Sequence, residues 1–492
     1  MKKVVKLNKN SISVISGLFC FCICVFMLYF RPQESWYDDA FWADWAYRLS
    51  QGCFITHVWG GDQPSYSPLY ALLLAGWYKI VGFSYFNAQM PNLLFALATY
   101  CVICFRIDYG KLIQSKLYAI CFAVCYWFAD GLYWIFSCGR VDTLCLLLGV
   151  LTIDSFVRAY ENGNVRDIIL MCFWSFLEMS TGFEGVMFTA IVMAVYSLHN
   201  VRLSLKKWHI YVWYIFSSCA SFFAVLAWMA YHNCAKAFLR TMFNFSYTLK
   251  SLLHFAETGD LTFENIVPLN DTMTIRERMG NLTISGIVYN KEYIFFMVVI
   301  VVLLVITIFK KKYDVFNVTE KTFIKSSILM PWVFMLAGRY ATYYTWVAYV
   351  PCCIALFVLL KRFNCGKIIA PIVAVSILVW FYFSPDHQNL KRIDFHREID
   401  AMNLKDIEAA KIVNTESTYI PYAWYYYLAP ANDKLYFKGS GRYRKDMKKM
   451  ILDDSETKYW NETLELEYLF SIGDRKVYKV IGDYGKNILK DE

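Results

Sequence analysis

Apolar runs of about twenty residues recur through residues 1–384 and constrain the fold more than any other feature of the sequence. The first is Ser11–Phe30 and the last is Ile368–Phe383. A helix needs about 20 apolar residues to cross a hydrocarbon core about 30 Å thick. Because lipid offers the backbone no hydrogen-bond partners, such runs fold as helices whose N–H and C=O groups pair internally. The sequence therefore predicts an all-α polytopic membrane protein.

The composition agrees with membrane residence, since 58% of the residues are hydrophobic and only 18% are charged. A soluble domain carries about 25% charged residues. The formal net charge of +9 does not indicate nucleic acid, because Lys and Arg collect in short loops between the apolar runs. That distribution is the positive-inside pattern. No small-residue cleavage site follows Ser11–Phe30, so we expect a retained first span rather than a signal peptide.

Sixteen cysteines are present, and nearly all lie within the apolar runs. In that setting they are expected to be small buried hydrophobic residues. Cys53, Cys138 and Cys234 fall in predicted extracytoplasmic segments, which leaves room for one disulfide at most.

The topology follows from placing all basic segments in the cytoplasm: Met1–Asn10, Arg106–Lys116, Arg158–Arg166, Arg202–Lys207, Lys310–Lys312 and Lys361–Lys367. Three apolar stretches separate Asn10 from Arg106, and three crossings would put Arg106 outside. The middle stretch, Pro68–Phe83, is short and carries Lys79, so we expect it to lie in the outer interface. Eleven spans then remain, with a cytoplasmic N-terminus and with Cys138–Asp142 at the outer face.

Two of these spans are expected to be short. Asp167–Leu198 must leave and return within about thirty residues, so Thr181-Gly182 is predicted to form an outer turn, whereas Leu117–Ser137 is predicted to be one outward span. Residues 1–384 would thus form the transmembrane domain. Its large outer loops are the first loop, residues 31–87, and a long loop, residues 232–291.

The tail, residues 385–492, changes character. It contains charge runs, a helix-like segment at Glu398–Ile412, and a hairpin pattern in which Leu464–Phe470 and Val477–Ile481 flank Gly473-Asp474. We expect a small extracytoplasmic α/β domain. No internal repeat stands out, which argues against a transporter built from repeated halves.

The first outer loop opens with two adjacent acids, Asp38 and Asp39. They begin a segment in which Phe41, Trp45 and Leu49 recur at helical spacing, which is typical of an interfacial helix. Either acid could simply cap this helix. Alternatively, a carboxylate among Trp and Tyr rings is less solvated and more basic, as a proton-abstracting group requires. Asp44 and Arg48 in the same segment are spaced to pair across one turn.

A series of short motifs follows in fixed order: Asp38-Asp39, Ala43 and Ala46, Gly52, Ser67-Pro68-Leu69-Tyr70, Gln89-Met90-Pro91, Gly139-Arg140-Val141-Asp142, and Gly338-Arg339-Tyr340 with Tyr343-Tyr344 and Pro351. Together they cover most of residues 30–360. Their order and spacing resemble glycosyltransferases of the GT-C fold, in particular the bacterial protein O-mannosyltransferase and lipid A aminoarabinose transferase group.

The resemblance implies an inverting sugar transfer from a polyprenyl-phosphate-linked donor at the outer face of the bacterial cytoplasmic membrane. The acceptor would be lipid A, a protein or a surface glycan. Asp38 would act as the general base, Asp39 stands where the family has Glu, and Asp142 matches a second outer-face acid. The resemblance is to a metal-independent subgroup, so no cofactor is expected. A divalent cation held by carboxylates near Asp38 is the alternative, because some GT-C enzymes use one.

The chain departs from the family where the donor phosphate would bind. Tyr66 stands where the aminoarabinose transferases have Lys, and Gln89 stands in place of an Arg. Candidate replacements for these cations are Lys79, Arg140, Arg339, Arg276 and Arg278. Arg140 could instead pair with Asp142 to fix the span ends, and Arg339 could be a snorkelling anchor.

Glu178, Glu184 and Tyr343 are weaker candidates for the substrate cavity, the two acids because they flank the predicted outer turn. His57, His232 and His254 are not at metal-ligand spacing, and we expect no metal site.

Two other functions compete with the transferase. A transporter or flippase for a lipid-linked glycan would need a charged path across the membrane midplane, where Asp130, Asp154 and Glu178 are the nearest acids. A membrane scaffold whose tail binds a partner would depend on residues 385–492 but not on Asp38 or Asp142.

Overall fold

A computed structural model describes the helical part of the chain over residues 9–30, 37–54, 66–106, 116–199, 201–235, 238–239, 291–310, 313–336, 346–363 and 365–383. In the tail it describes residues 418–420, 435–437, 448–452, 454–461, 464–472 and 475–483. The predicted helix at Glu398–Ile412 and most of the long loop, residues 232–291, lie outside these ranges.

The helices follow one another with short connections. In order they are α1 (Lys9–Phe30), α2 (Tyr37–Ser50), α3 (Leu69–Val81), α4 (Tyr85–Phe105), α5 (Lys116–Phe128), α6 (Asp130–Ser137), α7 (Asp142–Asn162), α8 (Val165–Thr181), α9 (Phe183–Leu198), α10 (Val201–Lys206) and α11 (Trp208–Tyr231). After the long loop come α12 (Lys291–Phe309), α13 (Val318–Leu336), α14 (Trp346–Leu360) and α15 (Gly366–Phe383).

One end of the bundle, which we call the basic end, gathers cations around buried carboxylates. Asp154 of α7 lies 2.9 Å from Arg158 and 3.5 Å from Arg106, and Arg158 also lies 3.5 Å from Asp167 of α8. The Asp154 side chain is only 4% exposed, whereas the Arg106 side chain is 52% exposed. The two guanidinium groups therefore neutralise a buried acid, while much of the Arg106 side chain stays exposed to the surroundings.

The same end holds the later basic segments. Lys361 and Arg362, which follow α14, lie 3.5 and 3.7 Å from Glu320 at the start of α13. Lys207 donates to the backbone carbonyl of Tyr160, which joins the third and fourth basic segments. The structure thus brings the predicted cytoplasmic loops together at one end.

The opposite end, which we call the site end, carries α2, α3 and the α6–α7 connection. Helices α1 and α4 illustrate the alternation between the ends. At the basic end, the Tyr100 hydroxyl near the end of α4 donates to the Ser13 carbonyl near the start of α1 (2.9 Å). At the site end, the Tyr29 ring of α1 meets the Phe86 ring of α4 edge-on at 5.6 Å.

Among the described residues, α1, α4, α7, α11 and α15 are long and apolar enough to cross a membrane, and the bent pair α5–α6 makes a sixth span. Helices α8, α9 and α12–α14 join the same two ends. For example, α8 begins with Asp167 beside Arg158, and near its end the Met179 carbonyl accepts a hydrogen bond from Ser67 (3.4 Å). In the described ranges the chain passes between the two ends eleven times, which equals the predicted number of spans.

Helix α3 corresponds to Pro68–Phe83, the apolar stretch that was predicted not to cross the membrane. It has 13 residues, so it is about 20 Å long and shorter than the hydrocarbon core. It packs chiefly against α2 at the site end, burying Tyr70, Leu74 and Tyr78. The predicted outer turn is also found, since Gly182 separates α8 from α9.

One predicted span is different in the structure. Leu117–Ser137 was expected to be a single helix, but it is broken at Ala129 into α5 and α6, which are bent by 63°. Both halves are equally apolar, so hydropathy alone does not reveal the break. The bend carries α6 across the bundle towards α4 and α14, and Gly131 passes so close to Tyr349 that a Cβ there would lie 2.6 Å from its ring.

The described part of the tail forms a five-stranded sheet in the order β2-β1-β3-β5-β4. Its strands are β1 (Thr418–Ile420), β2 (Leu435–Phe437), β3 (Lys449–Leu452), β4 (Leu464–Ile472) and β5 (Arg475–Asp483), with helix α16 (Asp454–Trp460) after β3. Strands β4 and β5 are antiparallel neighbours, which confirms the predicted hairpin. Ile451 of β3 and Val477 of β5 join the apolar cluster that contains Phe41 and Trp42 of α2, so the sheet docks at the site end.

The topology predicts opposite accessibility for two exposed thiols, Cys53 after α2 and Cys365 before α15. We expect a membrane-impermeant maleimide to label Cys53 in intact cells and Cys365 only after permeabilisation, as measured by peptide mass spectrometry. The buried Cys145 serves as the control that stays unlabelled in both conditions. Labelling of Cys365 before permeabilisation would contradict the topology.

Candidate functional site

An aromatic cluster fixes α2 at the site end. The Tyr66 ring, just before α3, lies 5.4 Å from Phe41 and 5.7 Å from Trp42, and the Tyr70 ring meets Trp42 edge-on at 5.4 Å. Trp42 also stacks on Trp45 at 5.7 Å. Each such ring pair adds about 1 kcal/mol to the stabilisation from area burial. Helix α2 is therefore held rigidly against α3.

Helix α2 is more deeply buried than an interfacial helix would be. Phe41, Trp45 and the polar Asp44 are all at most 2% exposed. The predicted Asp44–Arg48 pair is confirmed, with Asp44 Oδ1 3.2 Å from Arg48 Nε. The expected polar face of this helix thus carries an internal ion pair under a cover of protein.

Asp38 and Asp39 lie in the first turn of α2, and Asp38 is one helical turn before Trp42. Their side chains fall outside the described residues. The placement brings the backbone of both acids to the same end of the bundle as Tyr66 and the α6–α7 connection.

The buried amide of Asn92 joins three parts of the site end. Its Oδ1 accepts from the Tyr70 hydroxyl of α3 at 3.1 Å, and its Nδ2 donates to the Arg140 carbonyl at 2.7 Å and to the Cys138 carbonyl. Asn92 lies in α4 and is fully buried. It therefore satisfies carbonyls of the α6–α7 connection that no helix could satisfy. Sequence reasoning missed this residue, although an Asn inside an apolar span is a signal in its own right.

Arg140 and Asp142 form a buried ion pair at the start of α7. Arg140 Nε lies 2.8 Å from Asp142 Oδ2, and the two side chains are 4% and 2% exposed. The guanidinium also lies over the Trp134 ring at 5.3 Å from its centroid. The alternative that this pair fixes the span ends thus has direct geometric support, and the pair lies on the connection that Asn92 holds.

Glu178 is enclosed between α7, α8 and α9. Its Oε1 accepts from Thr189 at 2.6 Å and its Oε2 from Thr152 at 3.3 Å. A Cβ on Gly149 or Gly185 would lie 2.9 Å from the Glu178 side chain, so these glycines make the space that it fills. Glu178 is fully buried, and such an environment suits a helix-packing group.

Glu184 has a different position from Glu178. Glu184 is half-buried at the start of α9, and its carboxylate lies close over the Gly182 turn beside the Cys145 thiol. Cys145 is one turn after Asp142 and is within electrostatic range of Asp142, Glu178 and Glu184. The structure therefore brings all three acids to one side of α7.

The remaining candidates are dispersed. Lys79 is exposed in the last turn of α3, nine positions after Tyr70 and thus about 13 Å further along the helix. Gln89 is fully buried in α4, one turn before Asn92, and its amide has no hydrogen-bond partner among the described residues. Arg339, Tyr343, Arg276 and Arg278 lie outside the described ranges. Within those ranges no group of three His, Cys, Asp or Glu side chains is arranged to hold a metal ion.

We expect Asn92→Ala to lower the free energy of unfolding by about 3 kcal/mol, because it removes the buried hydrogen bonds that Asn92 makes with the Tyr70 hydroxyl and with the Cys138 and Arg140 carbonyls. Asn87→Ala on the same helix is the matched control. Asn87 Nδ2 also donates to two carbonyls, those of Val81 and Gly82, but at exposed positions where water can replace the amide. Unfolding of the purified protein in detergent measures both, and equal losses would contradict the role of Asn92.

Comparison with known proteins gives the fold a wider context. The sequence matches no protein-family model and no curated protein. The structure is similar to that of ArnT from Cupriavidus metallidurans bound to undecaprenyl phosphate, with a TM-score of 0.51 and 12% identity over 95% of this chain and 97% of ArnT. It is also similar to the oligosaccharyltransferase of Archaeoglobus fulgidus in its complex with zinc and sulfate, with a TM-score of 0.51 and 12% identity over 94% of this chain and 73% of that one. The chain is a multi-pass membrane protein with the GT-C fold.

Proposed function

We propose that this chain is an integral membrane glycosyltransferase that moves a sugar from a polyprenyl-phosphate-linked donor to an acceptor, with inversion at the anomeric carbon. The transfer takes place at the site end, which we assign to the outer face of the cytoplasmic membrane. The acceptor is lipid A, a protein or a surface glycan. The activity is metal-independent and requires no cofactor.

The observation that carries this proposal is the likeness of almost the whole chain to two membrane glycosyltransferases, one of them bound to undecaprenyl phosphate. The likeness extends over both the bundle and the tail, since 95% of this chain is covered. The arrangement of the site end adds support, because the first turn of α2 with Asp38, the Tyr66 ring and the Arg140–Asp142 pair all lie there.

The reaction assigns a proton and a leaving group to specific residues. Asp38 removes the proton of the acceptor hydroxyl as its oxygen attacks the anomeric carbon. The bond from that carbon to the phosphate oxygen breaks, and polyprenyl phosphate leaves with the electron pair. A positioned general base contributes about 10²- to 10⁴-fold to such a step. Asp39 and Asp142 complete the acidic set, and Glu184 and Tyr343 are the weaker substrate-cavity candidates, whereas the enclosed Glu178 is assigned a packing role.

The leaving phosphate needs hydrogen-bond donors and positive charge, because charge develops on its oxygens in the transition state. We assign Tyr66, Arg140 and Arg339 to this task. The Tyr66 ring is fixed by Phe41 and Trp42, so its position relative to α2 is constrained. Arg140 is held in a defined position at the site end, between Asp142 and Trp134. Lys79, at the far end of α3, is the weakest of these assignments.

The flippase alternative requires a charged path through the bundle. The described residues do not form a continuous path of this kind. The polar face of α7 runs through Asp142, Cys145, Gly149 and Thr152 and then meets Phe156. Asp154 is two positions after Thr152, which turns it about 200° around the helix. It faces the arginines of the basic end and is separate from the Glu178 pocket.

The first test is Asp38→Asn. Cells that lack the chain should lose one sugar from a surface glycan, protein or lipid, as measured by mass spectrometry, and the wild-type gene should restore it. We expect Asp38→Asn to reduce transfer at least 100-fold at unchanged protein abundance, because an amide cannot accept the proton.

The control for that test is Asp314→Asn, which makes the same chemical change at an exposed position of the basic end. It should restore the sugar fully. If Asp38→Asn restored the sugar fully, Asp38 would not be the base. If cells that lack the chain kept an unchanged glycan, protein and lipid profile, the proposed transferase activity would be wrong.

A double-mutant cycle separates the two roles of the Arg140–Asp142 pair. If Arg140 only fixes the span ends, Arg140→Gln, Asp142→Asn and the double variant should lower the unfolding midpoint and the activity in parallel. We expect the opposite for a phosphate ligand: Arg140→Gln should reduce activity at least tenfold more than its loss of stability explains. Activity and stability that change together in all three variants would leave Arg140 a structural role only.

A further inference from the structure

A groove of about 590 Å³ lies at the basic end, on the side of the bundle formed by α9, α10 and α11. Its walls are mainly apolar and include Ala194, Leu198, Leu205, Trp208 and Val212. The volume falls within the range of small-molecule sites, about 300–1,000 Å³. The groove is far from the candidate site, because α9 and α11 each run the length of the bundle between them.

Hydroxyl contacts make the groove a fixed feature of the fold. Ser197 of α9 contacts the Tyr211 hydroxyl of α11 at 2.5 Å. Ser204 of α10 contacts the Tyr160 hydroxyl at 2.8 Å and donates to the Ser197 carbonyl at 3.1 Å. The three helices are thus tied together at the floor of the groove, which needs no rearrangement to receive a ligand.

The rim of the groove exposes large apolar side chains beside free cations. Leu198, Leu205 and Trp208 are 69%, 70% and 61% exposed. Arg202 and Lys206 lie on one stripe of α10. Each directly follows a residue that lines the groove, Val201 or Leu205, and so points about 100° away from the groove face. Both are exposed, and neither has an ion-pair partner within the described part of the chain.

The charged side chains that α9, α10 and α11 place around this rim are all basic. The sequence contains no Asp or Glu from Gly185 to Tyr231, which covers all three walls. The nearest acid of α7, Glu161, is bound by the Tyr196 hydroxyl (3.2 Å), and Tyr196 packs into the bundle rather than towards the groove. Lys207 is committed to the Tyr160 carbonyl and ring. Arg202 and Lys206 are therefore left to attract an anion.

We propose that this groove binds an anionic glycerophospholipid of the surrounding membrane, with an acyl chain in the groove and its phosphate on Arg202 and Lys206. Basic pockets between helices at the cytoplasmic side of membrane proteins bind anionic lipid headgroups in this manner. The lipid is distinct from the donor of the proposed transferase, whose phosphate must reach the opposite end. The site is therefore independent of the proposed function.

Native mass spectrometry of the full chain in a neutral detergent tests the proposal, with phosphatidylglycerol and phosphatidylcholine of identical acyl chains as probes. We expect phosphatidylglycerol to bind with one saturable site and phosphatidylcholine at least tenfold more weakly. The double variant Arg202→Ala/Lys206→Ala should raise the Kd for phosphatidylglycerol at least tenfold, since each cation near an anionic lipid contributes about fivefold. Ala194→Trp should reduce binding of phosphatidylglycerol by filling the groove without changing charge.

Arg166→Ala removes an exposed cation of the same end outside the groove and should leave the Kd unchanged. Equal weakening by this control would indicate diffuse electrostatic attraction and overturn the site. Unchanged binding in the Arg202/Lys206 variant, whose substitutions are both exposed and compatible with folding, would also overturn it. Undecaprenyl phosphate is a further probe. If the Arg202/Lys206 variant weakened binding of undecaprenyl phosphate but not of phosphatidylglycerol, a phospholipid would be excluded as the occupant.

Discussion

The site end depends on one buried amide. Between α6 and α7 the backbone leaves helical geometry at Cys138, so its carbonyls must find donors inside the protein or pay the cost of burial without a hydrogen bond. Asn92 supplies those donors, and its own oxygen is satisfied by Tyr70. Since Tyr70 also packs against Trp42, the same amide couples the Arg140–Asp142 pair to the helix that begins with Asp38. A non-helical segment at the end of a membrane bundle is thereby made rigid.

The two ends of the bundle solve the problem of buried polarity in different ways. At the basic end two buried acids are each matched by two cations, Asp154 by Arg106 and Arg158, and Glu320 by Lys361 and Arg362. The surplus of positive charge anchors these loops on one side of the membrane. At the site end the buried ion pairs are one to one and lie beside aromatic rings, Asp44 with Arg48 near Trp45 and Asp142 with Arg140 near Trp134. That arrangement fixes the positions of the charged side chains, as a reactive site requires, although burying the charges is unfavourable.

Much of this fold could be predicted because hydropathy and loop charge are local properties of the sequence. Span ends such as Phe30, Phe105 and Tyr231, the turn at Gly182 and the short length of α3 all agree with the structure. The bend at Ala129 and the enclosure of Glu178 could not be predicted, because they depend on partners that are distant in sequence: Tyr349 against Gly131, and Thr152 and Thr189 around Glu178. For the same reason the sequence grouped Glu178 with Glu184, although only the latter reaches the turn. The roles of the site residues stay predictions.

Contacts now supply a test of topology that is independent of charge. Helix α1 leaves the basic end and reaches the site end, where α2 follows; α15 also leaves the basic end, beside Tyr118, and its Phe381 packs on Tyr133 of α6 near the site end. The tail must then emerge on the same side as α2. The sheet satisfies this requirement, since Ile451 and Val477 share one apolar cluster with Phe41 and Trp42. An even number of crossings would have placed the sheet and α2 on opposite sides of the membrane, where no such cluster could form. The odd number of crossings that the basic loops indicated is therefore also required by the packing of the sheet. It brings the C-terminal sheet to α2, the helix that carries Asp38 and Asp39.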